Sequence, residues 1–516
     1  MAGARRERII FMFSLIAKSA EYFASLHPKF THFILTKNPP QLFEFLAKQK
    51  VIATFRKIVY NVPAYRKFLK ENGVKYNSIR TIEDFKKLPI TDKKNYIEKY
   101  SLEERCWGGK ISDKYSIERS SGYSGKPTYW PRAAFEDREF EGYATYGLVD
   151  TYNIDKKSTL IIVTWGMGSW VTGEKFARFA RWIISKRGYP ASVISPGSNL
   201  DEVLEIIQNL HSYYDQILIA GYPPFLKSII DEGGKKALDW KKIKVHLLSG
   251  GEGFSENWRE YIAQKLGNQT KNFSAYGSAD AGIGGGHETP LSVFVRQCAW
   301  KNRDLAKALF GNADVLPMVF QYNPTSHFIE EINNELVFTT LSGLPIVRYN
   351  LHDHGGVRPF QTVVEILEKH GCDYKKNLQE SGWALSDIAK LPFSFVFGRS
   401  DGTIILSGAN IYVENIKHIL HLPDFVSKMT GNFIAEKISD SNLNTRLKLT
   451  IQVKNDVLID ENFKNQYKKI IVDELMKVNS EYQYLYGNYH EAVVPIIDFV
   501  YKILETEKQI KNKYIV

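Results

Sequence analysis

The sequence predicts a two-part α/β protein: a large N-terminal unit of mixed sheets and helices, then a small α+β unit. Three observations predict it. At 516 residues the chain exceeds what one hydrophobic core supports. Its middle alternates short β-branched runs with helical stretches, the pattern of a sheet with substantial parallel pairing covered by helices. After about Arg399 that alternation gives way to a single strand framed by two helices.

At the N-terminus, Arg5, Arg6 and Arg8 precede the apolar run 9–17, which is too short to span a bilayer. Apolar and aromatic residues continue through Tyr22, Phe23, Leu26 and Phe30, so the segment reads as an amphipathic helix rather than a signal peptide. From about 40 to 100, Phe43, Leu46, Ile52, Phe55, Ile58 and Val59 recur at helical spacing; Asn61-Val62-Pro63 breaks the pattern and residues 65–71 resume it. Leu88-Pro-Ile-Thr-Asp92 reads as a turn into a short helix capped by Thr91 or Asp92. Buried strands are expected at 159–163, 216–219 and 245–248, with helices at 202–210 and 257–266. Residues 335–339 and 395–406 read as β-structure with glycine turns. In the small unit, 411–420 and 463–476 read as helices and 447–453 as a strand. The expected domains are 1–398 and 399–516.

Composition excludes several classes. Hydrophobic residues at 44% and charged residues at 24% rule out a largely disordered chain. The net charge of +11 is spread along the sequence without a nucleic-acid-reading motif, so it suggests an affinity for anionic ligands, not for DNA or RNA. Cys106, Cys298 and Cys372 form no CxxC pair, which argues against a disulfide framework or zinc knuckle and for a reduced, cytoplasmic protein without a transmembrane segment.

The chemistry concentrates in a few segments. Ser120-Ser-Gly-Tyr-Ser-Gly-Lys-Pro127 places two glycines in a hydroxyl-rich loop, where the backbone can approach phosphate oxygens and present donors to them. A Walker A loop needs Gly where Ser120 stands and Ser or Thr where Pro127 stands, so it is not one. Taken alone, the segment is equally well an ordinary polar loop. Four further segments follow it: Ser249-Gly-Gly-Glu252 with Asn272-Phe-Ser-Ala-Tyr-Gly-Ser-Ala-Asp280; Glu335-Leu-Val-Phe-Thr-Thr-Leu341 with Leu344-Pro-Ile-Val-Arg-Tyr349 and Asp353; Phe397-Gly-Arg-Ser-Asp401; and Ser407-Gly-Ala-Asn-Ile-Tyr412. Together, in this order, the five resemble the signature segments of the adenylate-forming superfamily. Asn61-Val-Pro-Ala-Tyr-Arg66, Leu88-Pro-Ile-Thr-Asp-Lys93 and the glycine-rich Trp165-Gly-Met-Gly-Ser-Trp-Val-Thr-Gly173 narrow the likeness to its phenylacetate–coenzyme A ligase and CapK-like branch, from about residue 45 onward.

That resemblance implies a set of roles. Ser120, Ser121, Gly122, Ser124, Gly125 and Lys126 would hold the β- and γ-phosphates of ATP. Gly251, Glu252, Tyr276, Gly277 and Ser278 would form the adenine site, with Tyr276 stacking on the base. Asp353 would accept both ribose hydroxyls, as a carboxylate with two oxygens can, and Arg399 would lie beside it. Trp165, Gly166, Gly168 and Ala275 would line the acyl pocket, and Gly408 and Asn410 the acceptor loop. His352 and His354 flank Asp353 and read as loop residues, not as a metal pair.

The chain departs from the family in places. Tyr123 replaces a hydroxyl donor, and the acid that usually helps hold Mg²⁺ is Asp280, one methylene shorter. A mobile C-terminal lysine would bridge carboxylate and α-phosphate; Lys511 has the best register, with Lys508 as the alternative. The implied reaction joins a small-molecule carboxylate to AMP, releases pyrophosphate, and after a rotation about Asp401 passes the acyl group to a thiol or amine, coenzyme A by default. The alternatives are amide formation or carrier-protein loading, adenylylation of a non-carboxylate, and a degenerate nucleotide binder. Nothing in the sequence fixes the oligomeric state.

Overall fold

The computed structural model describes residues 28–120, 128–136, 141, 144, 145, 147–168, 171–236, 238–267, 269–313, 315–400 and 402–503. The expected N-terminal amphipathic helix falls mostly outside them. The chain enters through helices Pro28–Lys37, Pro40–Asn61 and Pro63–Glu71. Proline starts each of them, because it lacks only an N–H that the first turn leaves unbonded. Val62 sits between the last two in extended backbone, since the residue before proline is disfavoured in the helical region. Beyond Glu71 the expected helix gives way to short turns. The 88–92 segment caps a five-residue turn, Lys93–Ile97, through Asp92 rather than Thr91. Thr91 instead bonds across to the backbone of Val347, Arg348 and Asn350.

A hairpin of β1 (Ser116–Ser120) and β2 (Thr128–Arg132) stands apart from the main sheet. The main sheet begins with β3 (Thr159–Val163), β4 (Ala191–Ile194), β5 (Gln216–Gly221), β6 (Val245–Gly250), β7 (Asn272–Ser278) and β8 (Gly282–His287). It continues through β9 (Met318–Gln321), β10 (Phe328–Ile332), β11 (Glu335–Thr340), β12 (Ile346–Arg358) and β13 (Phe393–Arg399). Among the described residues these eleven strands run in the order β10-β11-β12-β13-β9-β8-β7-β6-β5-β3-β4. Strands β3 to β7 pair with one another in parallel, and the remaining pairings are antiparallel. The parallel half matches the apolar runs, since strands buried on both faces need no polar alternation. The helices expected between them run Leu200–Leu210, capped by Asn199, and Glu256–Leu266, capped by Ser255.

Two short strands, β14 (Ile404–Leu406) and β15 (Ala409–Ile411), follow, and then a three-stranded sheet of β16 (Met429–Ser439), β17 (Thr445–Val453) and β18 (Ile496–Val500). Residues from Ile404 to Phe499 share a core of their own around Leu447, Leu449, Ile451, Tyr467 and Leu475. The helix expected at 411–420 starts at Val413, because Ile411 pairs with Ile404. Strand β16 and helix Ser480–Tyr489 complete this unit and carry a weaker pattern. Glycine interrupts β16, and the helix is rich in tyrosine on several sides.

Candidate active site

A cleft of about 1450 Å³ lies at the carboxyl ends of β3, β5, β6 and β7, roofed by the small C-terminal unit. Open parallel sheets bind ligands at this edge, where strand ends and helix starts leave backbone groups unpaired. A buried ion network fixes the floor. Arg259 holds Glu256 at 3.0 Å and Glu288 at 2.5 Å, Arg296 pairs with Glu256, and Glu288 accepts the amide of Ser274 at 2.9 Å. Both helices behind β7 are thereby tied to the strand that carries Ala275 and Tyr276.

On this floor Tyr276 stacks on Phe320, with centroids 5.6 Å apart and planes 19° apart, and its hydroxyl donates to Asp353. Asp353 lies opposite Arg399 across β12 and β13, and the Arg399 guanidinium is 3.3 Å from its other oxygen. A carboxylate has lone pairs left after two donors, so this pair orients Asp353 without exhausting it. Gly277 and Ser278 end β7, and the Ser278 hydroxyl accepts the amide of Ala281 at 3.0 Å. Gly251 turns with φ +91°, and a β-carbon there would come within 2.6 Å of the Tyr222 ring. Glu252, buried beside it, pairs with Lys437 from β16 of the small unit.

Toward the other end, β1 and β2 bring Ser120 and Thr128 opposite each other. The Ser120 oxygen accepts the Trp130 indole N–H at 3.0 Å, which leaves its own O–H to donate. The intervening loop, with Ser121, Gly122, Ser124, Gly125 and Lys126, lies outside the described residues. Asp280 accepts the Tyr349 hydroxyl at 2.9 Å. The Lys93 ammonium is held below its usual range by burial, against the opposing pull of Asp280. Beneath them Arg132 is fully buried, 2.5 Å from Glu118 and bonded to the Ala279 carbonyl. Magnesium fits this corner. One carboxylate with an oxygen to spare, plus substrate phosphates, is the donor set Mg²⁺ ordinarily takes from proteins, and Asp280 supplies it. Among the described residues no cluster of three His, Cys, Asp or Glu offers an all-protein cage.

Trp165 is buried and its indole N–H reaches the Gly250 carbonyl at 3.4 Å. Gly250 pairs with Ala275, so both residues share one row of the sheet and both line the cleft with Trp165. Gly166 is bonded to Tyr222, and Gly168 turns with φ +82°. The small unit meets the large one through Gly408, where a β-carbon would lie 2.2 Å from Tyr222. Phe225 packs edge-on to Tyr489, and Lys227 donates to Asn444 at 3.0 Å. Asn410 turns inward: its amides donate to Glu481 and its carbonyl accepts from Asn479. Asp401, Lys508 and Lys511 lie outside the described residues.

Of the cleft residues not chosen from the sequence, four bear on its chemistry. Lys93 was quoted there only for its motif, though a lysine following an N-capping Asp was the available signal. Tyr222, Lys437 and His287 had none: strand register brings Lys437 and His287 to the cleft, and Tyr222 stands at the start of the helix that follows β5.

No family model matches the sequence. The chain is similar to phenylacetate-coenzyme A ligase of Aromatoleum evansii, at 20% identity over 401 residues, 76% of this chain and 77% of that protein. Its structure is similar to the crystal structure of 2-hydroxyisobutyryl-CoA ligase with 2-HIB-AMP and CoA in the thioesterification state. There the TM-score is 0.64 at 13% identity, over 94% of this chain and 91% of that one. This chain has the adenylate-forming ligase fold. The same ligase in its postadenylation state, with R3-HIB-AMP, gives a TM-score of 0.52 at 13% identity over the same shares. The likeness to this ligase fold extends through the small C-terminal unit, as the ordered motifs imply. Among the described residues no helix is long and apolar enough to cross a membrane.

Proposed function

We propose that this adenylate-forming protein activates a carboxylate as acyl-AMP with release of pyrophosphate, then passes the acyl group to an acceptor, coenzyme A by default. One observation carries this reading: Asp353, oriented by Tyr276 and Arg399, shares a single cleft with the electrostatically linked pair Asp280 and Lys93. A diol anchor and a cation–carboxylate corner within one cavity suit a nucleoside polyphosphate.

In this reading Asp353 and Arg399 hold the ribose, and the glycine turn at Gly251 leaves room for adenine beside Tyr276. The Ser/Gly loop between β1 and β2 would hold the β- and γ-phosphates. Asp280 would hold magnesium, which neutralises phosphate charge when bound. Lys93 faces the negative charge that gathers as the substrate carboxylate attacks the α-phosphorus; a preorganised cation is most useful where charge develops. Lys511 would add a second, arriving with the small domain, 399–516, and leaving as that domain turns about Asp401. The arrangement seen here, with Gly408 seated on Tyr222 and Lys437 on Glu252, suits the transfer half-reaction. Similarity to phenylacetate-coenzyme A ligase supports a thiol acceptor.

The test is pyrophosphate release on mixing the protein with Mg·ATP and a library of carboxylic acids, repeated with coenzyme A and with amines. Acid-dependent release, with turnover raised by coenzyme A, is expected. ATP binding without release for any acid would identify a nucleotide binder instead.

A further inference from the structure

On the main sheet, residues of β7 and β8 divide between two faces. Tyr276 and its partner Gly286 face Phe320, to which a β-carbon on Gly286 would come within 2.8 Å. Their neighbours Ala275 and His287 are paired with each other and face the other way. That is the side of the apolar cluster built from Leu148, Trp165, Phe176 and Phe273. Gly250, Ala275 and His287 therefore form one row across the sheet, Trp165 joins it through its indole bond to Gly250, and all four line the cleft.

His287 is the polar member of that row without a hydrogen bond among the described residues. Its neighbours are satisfied: Glu288 is taken by Arg259 and the Ser274 amide, the Tyr152 hydroxyl by the Leu247 carbonyl, and the Trp165 indole by Gly250. Burial pushes the His287 imidazole down to about 4, so at neutral pH it is uncharged and offers one donor and one acceptor. His287 is half-buried at the cleft wall, where water can reach its ring, so a ligand that displaces that water must supply a partner of its own or leave the imidazole unpaired.

Resting on the ligase reading, we propose that His287 determines acyl specificity, and that the activated acid has an apolar, ring-sized body bearing an uncharged hydrogen-bonding group such as a hydroxyl. The aromatic walls contact the body. The neutral imidazole bonds the substituent, and an acid lacking it leaves His287 unpaired. A second carboxylate or an ammonium on the acid would enter this apolar wall with no counter-charge from His287.

The experiment compares kcat/KM for acid-dependent pyrophosphate release with matched acids: benzoate against hydroxybenzoates, phenylacetate against hydroxyphenylacetates, and cyclohexanecarboxylate against its hydroxylated forms. The wild-type protein is expected to favour one hydroxylated member by about tenfold or more, the scale on which sites built around a hydrogen bond discriminate. His287→Leu should abolish that preference while activity on the plain acid persists, and His287→Gln, which keeps a donor and an acceptor, should retain part of it. Unchanged ATP affinity in each variant reports an intact fold. A wild-type protein indifferent to every hydroxyl, or a His287→Leu ratio equal to wild type, overturns the inference and leaves the ligase reading standing. No release with any acid sinks both.

Discussion

Replacing Gly408 by alanine should separate the two half-reactions. The residue has φ +84°, and a β-carbon on it would lie 2.2 Å from one Tyr222 carbon and 2.4 Å from another. Left-handed backbone costs a non-glycine residue about 1–2 kcal/mol, and forcing a methyl into a packed contact costs about 1–3 kcal/mol. Tyr222 has little room to shift, because Gly251 crowds the same ring carbons and a β-carbon there would come within 2.6 Å. The docked arrangement of the small domain is thus destabilised by about 2–5 kcal/mol. If transfer requires that arrangement, its rate falls roughly 30- to 5000-fold at tenfold per 1.36 kcal/mol. The assay is rapid-quench measurement of acyl-AMP formation in one experiment and of its consumption by coenzyme A in the other. Acyl-AMP should form near the wild-type rate and accumulate. Transfer by Gly408→Ala at the wild-type rate would refute the claim that the Gly408–Tyr222 contact belongs to that step.

Asp353→Ala should weaken ATP binding roughly 10- to 150-fold, the range for a lost hydrogen bond to a charged group, in a titration calorimeter; unchanged affinity contradicts the ribose assignment. Arg296→Met leaves buried Glu256 with Arg259 alone and should destabilise the protein by about 3–5 kcal/mol. An unchanged unfolding midpoint would show the network to be dispensable. Lys511→Ala should slow adenylate formation about 10²–10³-fold while sparing turnover of supplied acyl-AMP, with Lys508→Ala behaving as a surface change. The reverse result moves the register to Lys508, and no effect from either removes the tail lysine from the mechanism.

The parallel half of the sheet was legible because its strands are buried on both faces and so are written as plain apolar runs. Leu160, Ile161, Ile162 and Val163 are all buried, and so are Ile217 to Ala220. The antiparallel half was harder. Strand β12 runs thirteen residues through Arg348, His352 and Asp353 and two glycines, polar content that periodicity reads as loop. It holds as a strand, despite left-handed backbone at Arg348 and His352, because β11 and β13 pair with it from both sides. Asp353 and Arg399 were nominated through segment likeness, and the register that sets them opposite each other is a tertiary fact. Tyr276 was expected to stack on adenine; what the sequence did not show is that its ring also packs on Phe320 and its hydroxyl serves Asp353.

What escaped the sequence entirely were contacts between units. Nothing local in Glu436-Lys437-Ile438 says that a lysine on β16 will close on Glu252 in the cleft. Nor does Tyr222, a residue before two prolines, declare that two glycines distant in sequence will meet its ring. His287 is equally silent, since its environment is made by β6, β7 and Trp165 beyond the end of β3.

Isotope transfer tests the central claim most directly. With Mg·ATP and an active acid labelled with ¹⁸O in both carboxylate oxygens, attack on the α-phosphorus followed by acyl transfer must leave one ¹⁸O in the AMP. Mass spectrometry of the products should find singly labelled AMP and unlabelled pyrophosphate. Unlabelled AMP, or label in inorganic phosphate, would mean that no acyl adenylate forms in this cleft.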